Sequence, residues 1–524
     1  MAGHLGAGVR PALIATAALA AVWSAVAGAE TELIRAIQAG DEAVLADVLA
    51  SGADVNAVEP DGSTALHWAA WAEATAAAAQ LIEAGANPVA ADRNGITPLF
   101  LAAENGNPDM TQLLLEAGAD ATALAPTGET LLMLASRTGR LPTLDLLLDR
   151  GVGVDEKDPV YGQTALMLAV RANYPDAVQR LIDRGADLDA QTRIGATPEF
   201  VPPCKGTGCG SEGVGINRGG LPDRGRRAAA KGGMTPLLYA ARDGHIEVAR
   251  LLIEAGADPD LGEANGIRPL LMAALNNRQE IALALLAAGA DPNADDFWGR
   301  TPLFAAVDYR NLDMNNREQD SPTTNGVDRE PLLNLMQALL DAGADVNART
   351  REVAPSRRWL YSLNDVSWVD FTGQTPFLRA ALSGDVVGMR FLLDHGADPN
   401  IATFAGTTPL MAAAGVNWVV AQTFTVSPQA ELEAVQLCLQ LGNEINATNS
   451  MGLSALLGAV NRGANHIVEF LADNGADLDV IDVEGRDAIR WAEGVFLAAV
   501  GAEKKPETIA LLERLKSEST GAGP

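Results

Sequence analysis

Apolar and polar positions alternate in a fixed order along this chain. A short apolar stretch is followed by a polar break, a second apolar stretch and a Gly-Ala-Asp triplet. One copy runs from Leu99 through the small pair Ala102-Ala103 to a triple leucine at 113–115 and the triplet at 118–120. Small residues allow helices to pack closely, and glycine just past a helix is the usual left-handed cap. The pattern predicts helix, turn, helix and then a short extended hairpin.

The unit recurs at a nearly constant step. Gly62, Gly95, Gly128, Gly162 and Gly195 follow one another at steps of 33, 33, 34 and 33 residues. The same step of 33 separates Gly233, Gly266 and Gly299, then Gly373 and Gly406, then Gly452 and Gly485. Such a period indicates a stacked array of one supersecondary unit rather than a globular domain with a single core.

Each unit opens with a motif such as Gly95-Ile-Thr97-Pro98-Leu99. Glycine suits a tight turn with positive φ, threonine caps a helix N-terminus, and proline fits the first helical position. These residues, with the closing Gly-Ala-Asp, resemble the ankyrin repeat over roughly residues 31–516. The resemblance implies an all-α solenoid of about twelve stacked helix-turn-helix repeats with short β-hairpin tips.

The first residues lie outside the array. Arg10 precedes an apolar run, Ala12–Val22, and small residues end at Ala27 and Ala29. This arrangement is typical of a secretory signal peptide over residues 1–29, with an uncleaved N-terminal anchor or a helix as alternatives. We therefore expect an exported protein, either periplasmic or secreted.

Interruptions divide the remaining chain into repeat blocks and inserts. Repeats are expected over 30–198, 233–307 and 373–516, with 332–349 as the second helix of a split repeat and 517–524 as a disordered tail. The inserts are a Gly-rich basic segment at 199–232, a polar segment at 308–331 and an aromatic segment at 350–372. Long loops on a rigid array are usually functional or disordered. The aromatic insert, with Trp359 and Trp368, is expected to pack on the array or on a partner.

Little in the sequence indicates catalysis. Cys204 and Cys209 lie close together in the basic insert, where a small disulfide is expected, with free thiols or a metal site as alternatives. A zinc site needs four ligands, and no histidine is near. The histidines of the mature chain occupy structural positions of the repeat, and no phosphate loop or nucleophile motif is present. We expect no enzyme activity, metal or cofactor.

Charge restricts the class of partner. The chain carries a formal net charge of −29, which argues against binding nucleic acid, because a phosphate-binding surface needs clustered Lys and Arg. The same charge argues against an anionic membrane surface. Its simplest role is solubility.

The resemblance implies that partners bind the concave face formed by hairpin tips and first helices. The candidate partner-binding residues are Trp68, Trp71, Arg137, Arg171, Tyr239, Arg242, Trp359 and Trp368. Four of them, Trp71, Arg137, Arg171 and Arg242, occupy one column at the far end of the first helix. The arginines favour an acidic partner surface, unless they bond loop carbonyls or nearby aspartates of their own chain.

These observations predict a non-catalytic, monomeric, exported scaffold for protein–protein interaction. Two alternatives remain open. One is a small-molecule, metal or redox protein that acts through the Cys204/Cys209 insert. The other is a secreted effector delivered into a foreign cell.

Overall fold

The computed structural model describes residues 32–195, 231–311, 330–351, 372–416, 427–495 and 503–519. These residues form an all-helical array of 24 short helices arranged in pairs. The expected hairpins are present, within these ranges, only as two isolated antiparallel bridges, Leu124 with Thr130 and Ile481 with Asp487. The chain divides into two compact units, Met1–Asp187 and Leu188–Pro524, called the first and second unit below. The signal peptide predicted at 1–29 lies outside the described residues, and the count of about twelve repeats stays a prediction.

In the described part of the first unit, each first helix packs against its own second helix and against the first helix of the next pair. The pairs are α1 (Glu32–Ala39) and α2 (Glu42–Ala50), α3 (Ala65–Trp71) and α4 (Thr75–Glu83), α5 (Pro98–Asn105) and α6 (Pro108–Glu116), α7 (Leu131–Thr138) and α8 (Leu141–Asp149), and α9 (Ala165–Arg171) and α10 (Pro175–Asp183).

The second unit repeats the arrangement. Its described pairs are α11 (Pro236–Asp243) and α12 (Ile246–Glu254), α13 (Pro269–Leu275) and α14 (Gln279–Ala287), α15 (Pro302–Arg310) and α16 (Glu330–Asp341), α17 (Pro376–Leu382) and α18 (Val386–Asp394), α19 (Pro409–Ala414) and α20 (Pro428–Gln440), α21 (Ala455–Arg462) and α22 (Asn465–Asp473), and α23 (Ala488–Ala492) and α24 (Pro506–Ser519).

The opening motif caps the first helix as its sequence predicts. Thr97 Oγ1 accepts a hydrogen bond of 3.2 Å from Phe100 N, and Pro98 begins α5. Gly106 ends the helix in the left-handed conformation, at φ 67°. The same side-chain cap is made by Thr130, Thr164, Thr235, Thr301, Thr375 and Thr408. Because these caps satisfy backbone donors that the helix leaves open, helices of only two turns can form.

Asparagine side chains tie successive loops together. Asn293 Nδ2 donates to Gly343 O at 2.8 Å, and its Oδ1 accepts from Asp345 N at 2.6 Å. Asn56 in the first unit makes the equivalent pair with Gly85 O and Asn87 N. Asn347 and Asn446 repeat the pattern. Each asparagine side chain forms hydrogen bonds with a backbone carbonyl and a backbone N–H of the following repeat. Adjacent repeats therefore stabilise each other.

A buried ionic cluster replaces part of the apolar packing in the second unit. Arg310 binds Asp385 through Nε–Oδ2 at 2.7 Å and Nη2–Oδ1 at 3.2 Å, with both side chains almost fully buried. Arg379 Nε binds Asp308 Oδ1 at 2.7 Å, and its Nη2 donates to Asn311 O at 3.1 Å. Arg462 and Glu431 form a further buried pair in the same unit.

The observed helix ends on either side of the polar insert differ from the predicted boundaries. Residues 308–331 were expected to lie outside the helices, but α15 continues to Arg310 and α16 begins at Glu330. Asp308 and Arg310 are typical of an insert because they are charged. In the last turn of α15, their charges are paired with Arg379 and Asp385 inside the array.

The tail prediction also needs correction. Residues 517–524 were expected to be disordered, yet α24 continues to Ser519. Lys516 Nζ binds Asp479 Oδ1 at 2.7 Å, and Ser517 Oγ donates to Arg514 O at 2.7 Å, so the last turn is held by side-chain contacts. Residues 520–524 lie outside the described residues.

His67 is buried in the first turn of α3. Its Nδ1 accepts from Thr64 N at 3.1 Å, and its Nε2 lies 3.0 Å from Ile96 O, to which it donates. Burial lowers the pKa of His67 below its ordinary value of 6.5, although the Ile96 carbonyl and the nearby Asp92 and Asp61 oppose this. A lowered pKa means that the folded state favours the neutral ring.

We predict that the stability of the first unit falls as pH drops below 6.5 and that His67→Gln reduces this loss. The folded pKa lies below the unfolded value, so stability is fully present above pH 6.5 and is lost towards the folded pKa. Thermal unfolding midpoints above and below that pH measure the effect. His466→Gln, at a half-buried histidine of the second unit, is the control substitution. An unchanged slope in His67→Gln would contradict the assignment.

The buried cluster gives a second prediction. Arg310→Met leaves Asp385 buried without its cation, and this lowers the free energy of unfolding by about 3 kcal/mol. The double variant Arg310→Met/Asp385→Asn removes both charges and regains part of that loss. Urea unfolding measures both. Arg490→Met, which breaks an exposed pair with Glu493, serves as the control and costs about 0.5 kcal/mol or less. Equal losses in the single and double variants would rule out a charge effect.

Candidate partner-binding surface of the first unit

The loops that precede the first helices meet tip to tip. We call the segment around each loop glycine a tip. Arg93 N donates to Asp61 O at 2.8 Å, which joins the first two tips. A side chain at Gly62 would lie 3.0 Å from Arg93 N, and one at Gly128 would lie 2.4 Å from the Pro159 ring. Both glycines have positive φ, so they permit the turn as well as the close contact. The tips of the first unit therefore form a continuous tip row.

Large apolar side chains project from this row into solvent. Val58 is 65 % exposed, Leu124 61 %, Val160 57 % and Tyr161 67 %. Apolar residues scattered singly on a surface are normal, but a series along one row is a feature of interaction sites. Tyrosine is among the residues that most often dominate binding energy at protein interfaces.

The tip that carries Tyr161 is one residue longer than its neighbours and is held from inside. Asp158 accepts backbone hydrogen bonds from Val160 N at 2.9 Å, Tyr161 N at 2.7 Å and Gln163 N at 2.6 Å. In the preceding tip at Gly128, Ala125 N pairs with Glu129 O, whereas here Asp158 N pairs with Gln163 O. Val160 and Tyr161 are exposed on a turn that the Asp158 carboxylate anchors.

One side chain at the end of a first helix reaches the tip row. Arg137 Nη1, near the end of α7, is 3.4 Å from Glu129 Oε1, which follows the tip glycine of the same repeat. At the equivalent end of α3, the Trp68 and Trp71 rings stand nearly perpendicular, with centroids 5.7 Å apart. Trp71 is 41 % exposed. The tip row and the helix ends together are called the partner-binding surface.

Two family models match the chain. The family model for ankyrin repeats in three copies matches residues 33–125, 121–192 and 221–296, and the model for a single ankyrin repeat matches residues 372–401. Together they cover just over half of the chain. The chain belongs to the ankyrin-repeat family.

Two solved ankyrin-repeat domains are similar to parts of the chain. The human ASB11 ankyrin repeat domain is 26% identical, with a TM-score of 0.39, and the match covers 50% of this chain and 100% of that domain. The Bcl-3 ankyrin repeat domain is also 26% identical, with a TM-score of 0.37, and the match covers 49% of this chain and 99% of that domain.

The structure distributes the predicted site residues of this ankyrin-repeat protein over both units. Trp68, Trp71, Arg137 and Arg171 belong to the first unit, where Trp68 is half-buried and the other three are exposed. Tyr239 and Arg242 belong to the second. Trp359, Trp368, Cys204 and Cys209 lie outside the described residues.

Two of the predicted arginines bind carboxylates of their own chain. Arg242 donates to both oxygens of Asp243, at 2.7 and 2.9 Å, and its guanidinium lies 4.9 Å from the Tyr239 ring centroid. Tyr239 itself is buried. Arg137 contacts Glu129. An acidic partner would have to compete with these internal contacts.

Sequence reasoning missed the tip residues. Val58 and Leu124 stand four positions before a tip glycine, and Tyr161 directly precedes one. The signal for Tyr161 was the single step of 34 residues among steps of 33, which marks an added residue in that tip. Comparing equivalent tip positions between repeats, as well as equivalent helix positions, would identify these residues from the sequence.

The described ranges hold no group of three His, Cys, Asp or Glu side chains placed to bind a metal. In the same ranges no helix is long and apolar enough to cross a membrane.

We predict that Asp158→Ala loosens the longest tip of the first unit. Without the carboxylate, three backbone N–H groups lose their partners, and each such bond contributes about 1 kcal/mol. Amide hydrogen exchange over residues 158–163 is expected to rise at least tenfold, measured by mass spectrometry. Asp176→Ala, at an exposed aspartate of α10, is the control. Unchanged exchange in Asp158→Ala would show that the carboxylate does not hold the tip.

Proposed function

We propose that the protein is a non-catalytic scaffold that binds another protein through the partner-binding surface of its first unit. Ankyrin repeats generally mediate protein–protein interaction. The observation that carries the proposal here is Tyr161, a tyrosine 67 % exposed on a tip fixed by Asp158. A preorganised aromatic side chain binds with little loss of conformational entropy.

The neighbouring residues extend this anchor into a surface. Val58, Leu124 and Val160 expose apolar area along the same row, and Trp71 does so at the adjoining helix end. Neighbouring tips contact each other, so these side chains keep a defined spacing. A partner could therefore contact several repeats at once. Repeat arrays form extended binding sites in this way.

The proposal includes export. The apolar run at 12–22 and the small residues before Glu30 support a cleaved signal peptide. The partner would then be an envelope or extracellular protein, and the monomeric chain would meet it after translocation. Capturing the partner on the full chain would identify it.

Site-specific photo-crosslinking tests the proposal. A benzophenone amino acid replaces Tyr161 in the full chain, and a matched chain carries it at Leu283, an exposed apolar residue on the second helix α14. We expect a discrete crosslinked protein from position 161 and none from position 283, because only the first position lies on the proposed surface. Fractionation after irradiation assigns the product to the cytoplasm or the exported fraction.

Two further substitutions test whether the neighbouring tip residues belong to the same binding surface. The crosslink at position 161 should weaken when Leu124 is replaced by Ser and persist when Val44, an exposed residue of α2, is replaced by Ser. The same crosslinks from positions 161 and 283 would contradict a specific surface. A product confined to the cytoplasm would contradict export alone.

A further inference from the structure

An arginine and a phenylalanine are stacked on the tips of the second unit. The central guanidinium carbon of Arg349 lies 4.2 Å from the centroid of the Phe404 ring. Arg349 Nε donates to Gly373 O at 3.1 Å, and its Nη2 donates to Ala402 O at 2.6 Å. These bonds fix the guanidinium on two successive tips, while Phe404 remains 55 % exposed.

The preceding tip also holds Phe404 in place. Phe404 N donates to Thr372 O at 2.9 Å. A side chain at Gly373 would lie 2.9 Å from both Phe404 Cγ and Arg349 Nη2. Gly373, at φ 84°, therefore leaves the space into which both side chains pack. The stacked pair is already ordered before a ligand binds, which lowers the entropic cost of binding.

An earlier tip of the same unit makes the same bonds without a charge or an aromatic ring. Gln191 Nε2 donates to Gly233 O at 3.2 Å and to Gly262 O at 3.0 Å, and these are the equivalent carbonyls. The residue at the phenylalanine position of that tip is Ala264. A neutral side chain and an alanine are thus enough to join two tips. The charge at position 349 and the ring at position 404 are not needed for that contact.

The stacked pair presents two kinds of group to a ligand. Arg349 is exposed, and its hydrogen bonds to the described residues come from Nε and Nη2, so Nη1 is available. Because stacking uses the face of a guanidinium, its edge can still bind a carboxylate. The exposed part of the Phe404 ring adds apolar contact, and phenylalanine and arginine are both enriched in protein interfaces.

We propose that Arg349 and Phe404 bind a partner segment in which an acidic side chain stands next to an apolar one. The carboxylate pairs with Arg349 Nη1, and the apolar side chain covers the exposed part of Phe404. We call these two residues the arginine–phenylalanine site. The site goes beyond the scaffold proposal, because it belongs to the second unit and specifies the chemistry of a partner.

Charge favours this site for an acidic segment. Arg137 and Arg242 already contact carboxylates of their own chain, whereas the described hydrogen bonds of Arg349 go to backbone carbonyls. The net charge of −29 opposes an acidic segment only weakly here, because charges beyond about 8 Å are largely screened at physiological ionic strength.

Binding of defined peptides to the full chain tests the inference. The probe is a fluorescent glycine-serine peptide with three spaced aspartate–leucine pairs. One matched peptide replaces each aspartate with lysine, and another replaces each leucine with serine. Fluorescence anisotropy should show the tightest binding for the aspartate–leucine peptide, and added salt should weaken it.

Three variants locate the binding on the chain. Arg349→Gln keeps an amide donor that can join the tips, as Gln191 does, and should weaken binding of the aspartate–leucine peptide about tenfold. Phe404→Ala copies the alanine of the earlier tip and should weaken it about fivefold. Arg390→Gln removes one positive charge from an exposed residue of α18, so it is the matched control and should bind like the wild type.

Circular dichroism and amide hydrogen exchange over residues 402–406 verify that each variant keeps its fold and this tip. Absence of binding to the wild-type chain, equal binding of the lysine–leucine peptide, or equal affinities of Arg349→Gln and Arg390→Gln would overturn the inference. Equal binding of the aspartate–serine peptide would remove the role of Phe404. These outcomes are separable from the scaffold proposal, because the crosslink from position 161 reports on the first unit alone.

Discussion

Short amphipathic helices that cannot bury their flanks alone are the constraint on which this protein depends. α5 packs against α3 and α7 as well as against its own partner α6, so its apolar face is completed by two neighbours. The asparagine bonds extend the same dependence to the backbone, since Asn293 satisfies groups on the following repeat. Stability is therefore shared between adjacent repeats, as expected for a quasi-one-dimensional array.

Because the helices bury their apolar faces against one another, the tips do not have to contribute side chains to a central core. A tip must supply a turn, contact the next tip and lead into a capped helix, but the side chains that face solvent are unconstrained. Asp158 shows how a tip can be lengthened while it stays ordered, because one carboxylate binds three backbone N–H groups. A rigid array with variable tips is suited to recognition.

Identical residue types serve different purposes in the two units. Arg310 is buried against Asp385 and joins helices of different repeats, whereas Arg137 is exposed beside Glu129 at the partner-binding surface. Asp385 belongs to the repeat that follows Arg310, whereas Glu129 belongs to the same repeat as Arg137. Removing a buried arginine would leave an uncompensated carboxylate, while an exposed pair is weakened by water and salt.

The sequence by itself determined the family, the helix pairs and the capped opening of each repeat. These features repeat locally, and threonine caps such as Thr97 act within one turn. It also marked Trp71 and Arg137 as candidates through their shared column.

Only the tertiary structure decided which candidates are available. Tyr239 is covered, Arg242 is bound to Asp243, and Asp308 and Arg310 are helical and compensated. The exposure of Tyr161 was likewise decided by the fold of its tip. Burial and charge pairing are made between repeats, and a pattern read within one repeat does not contain them.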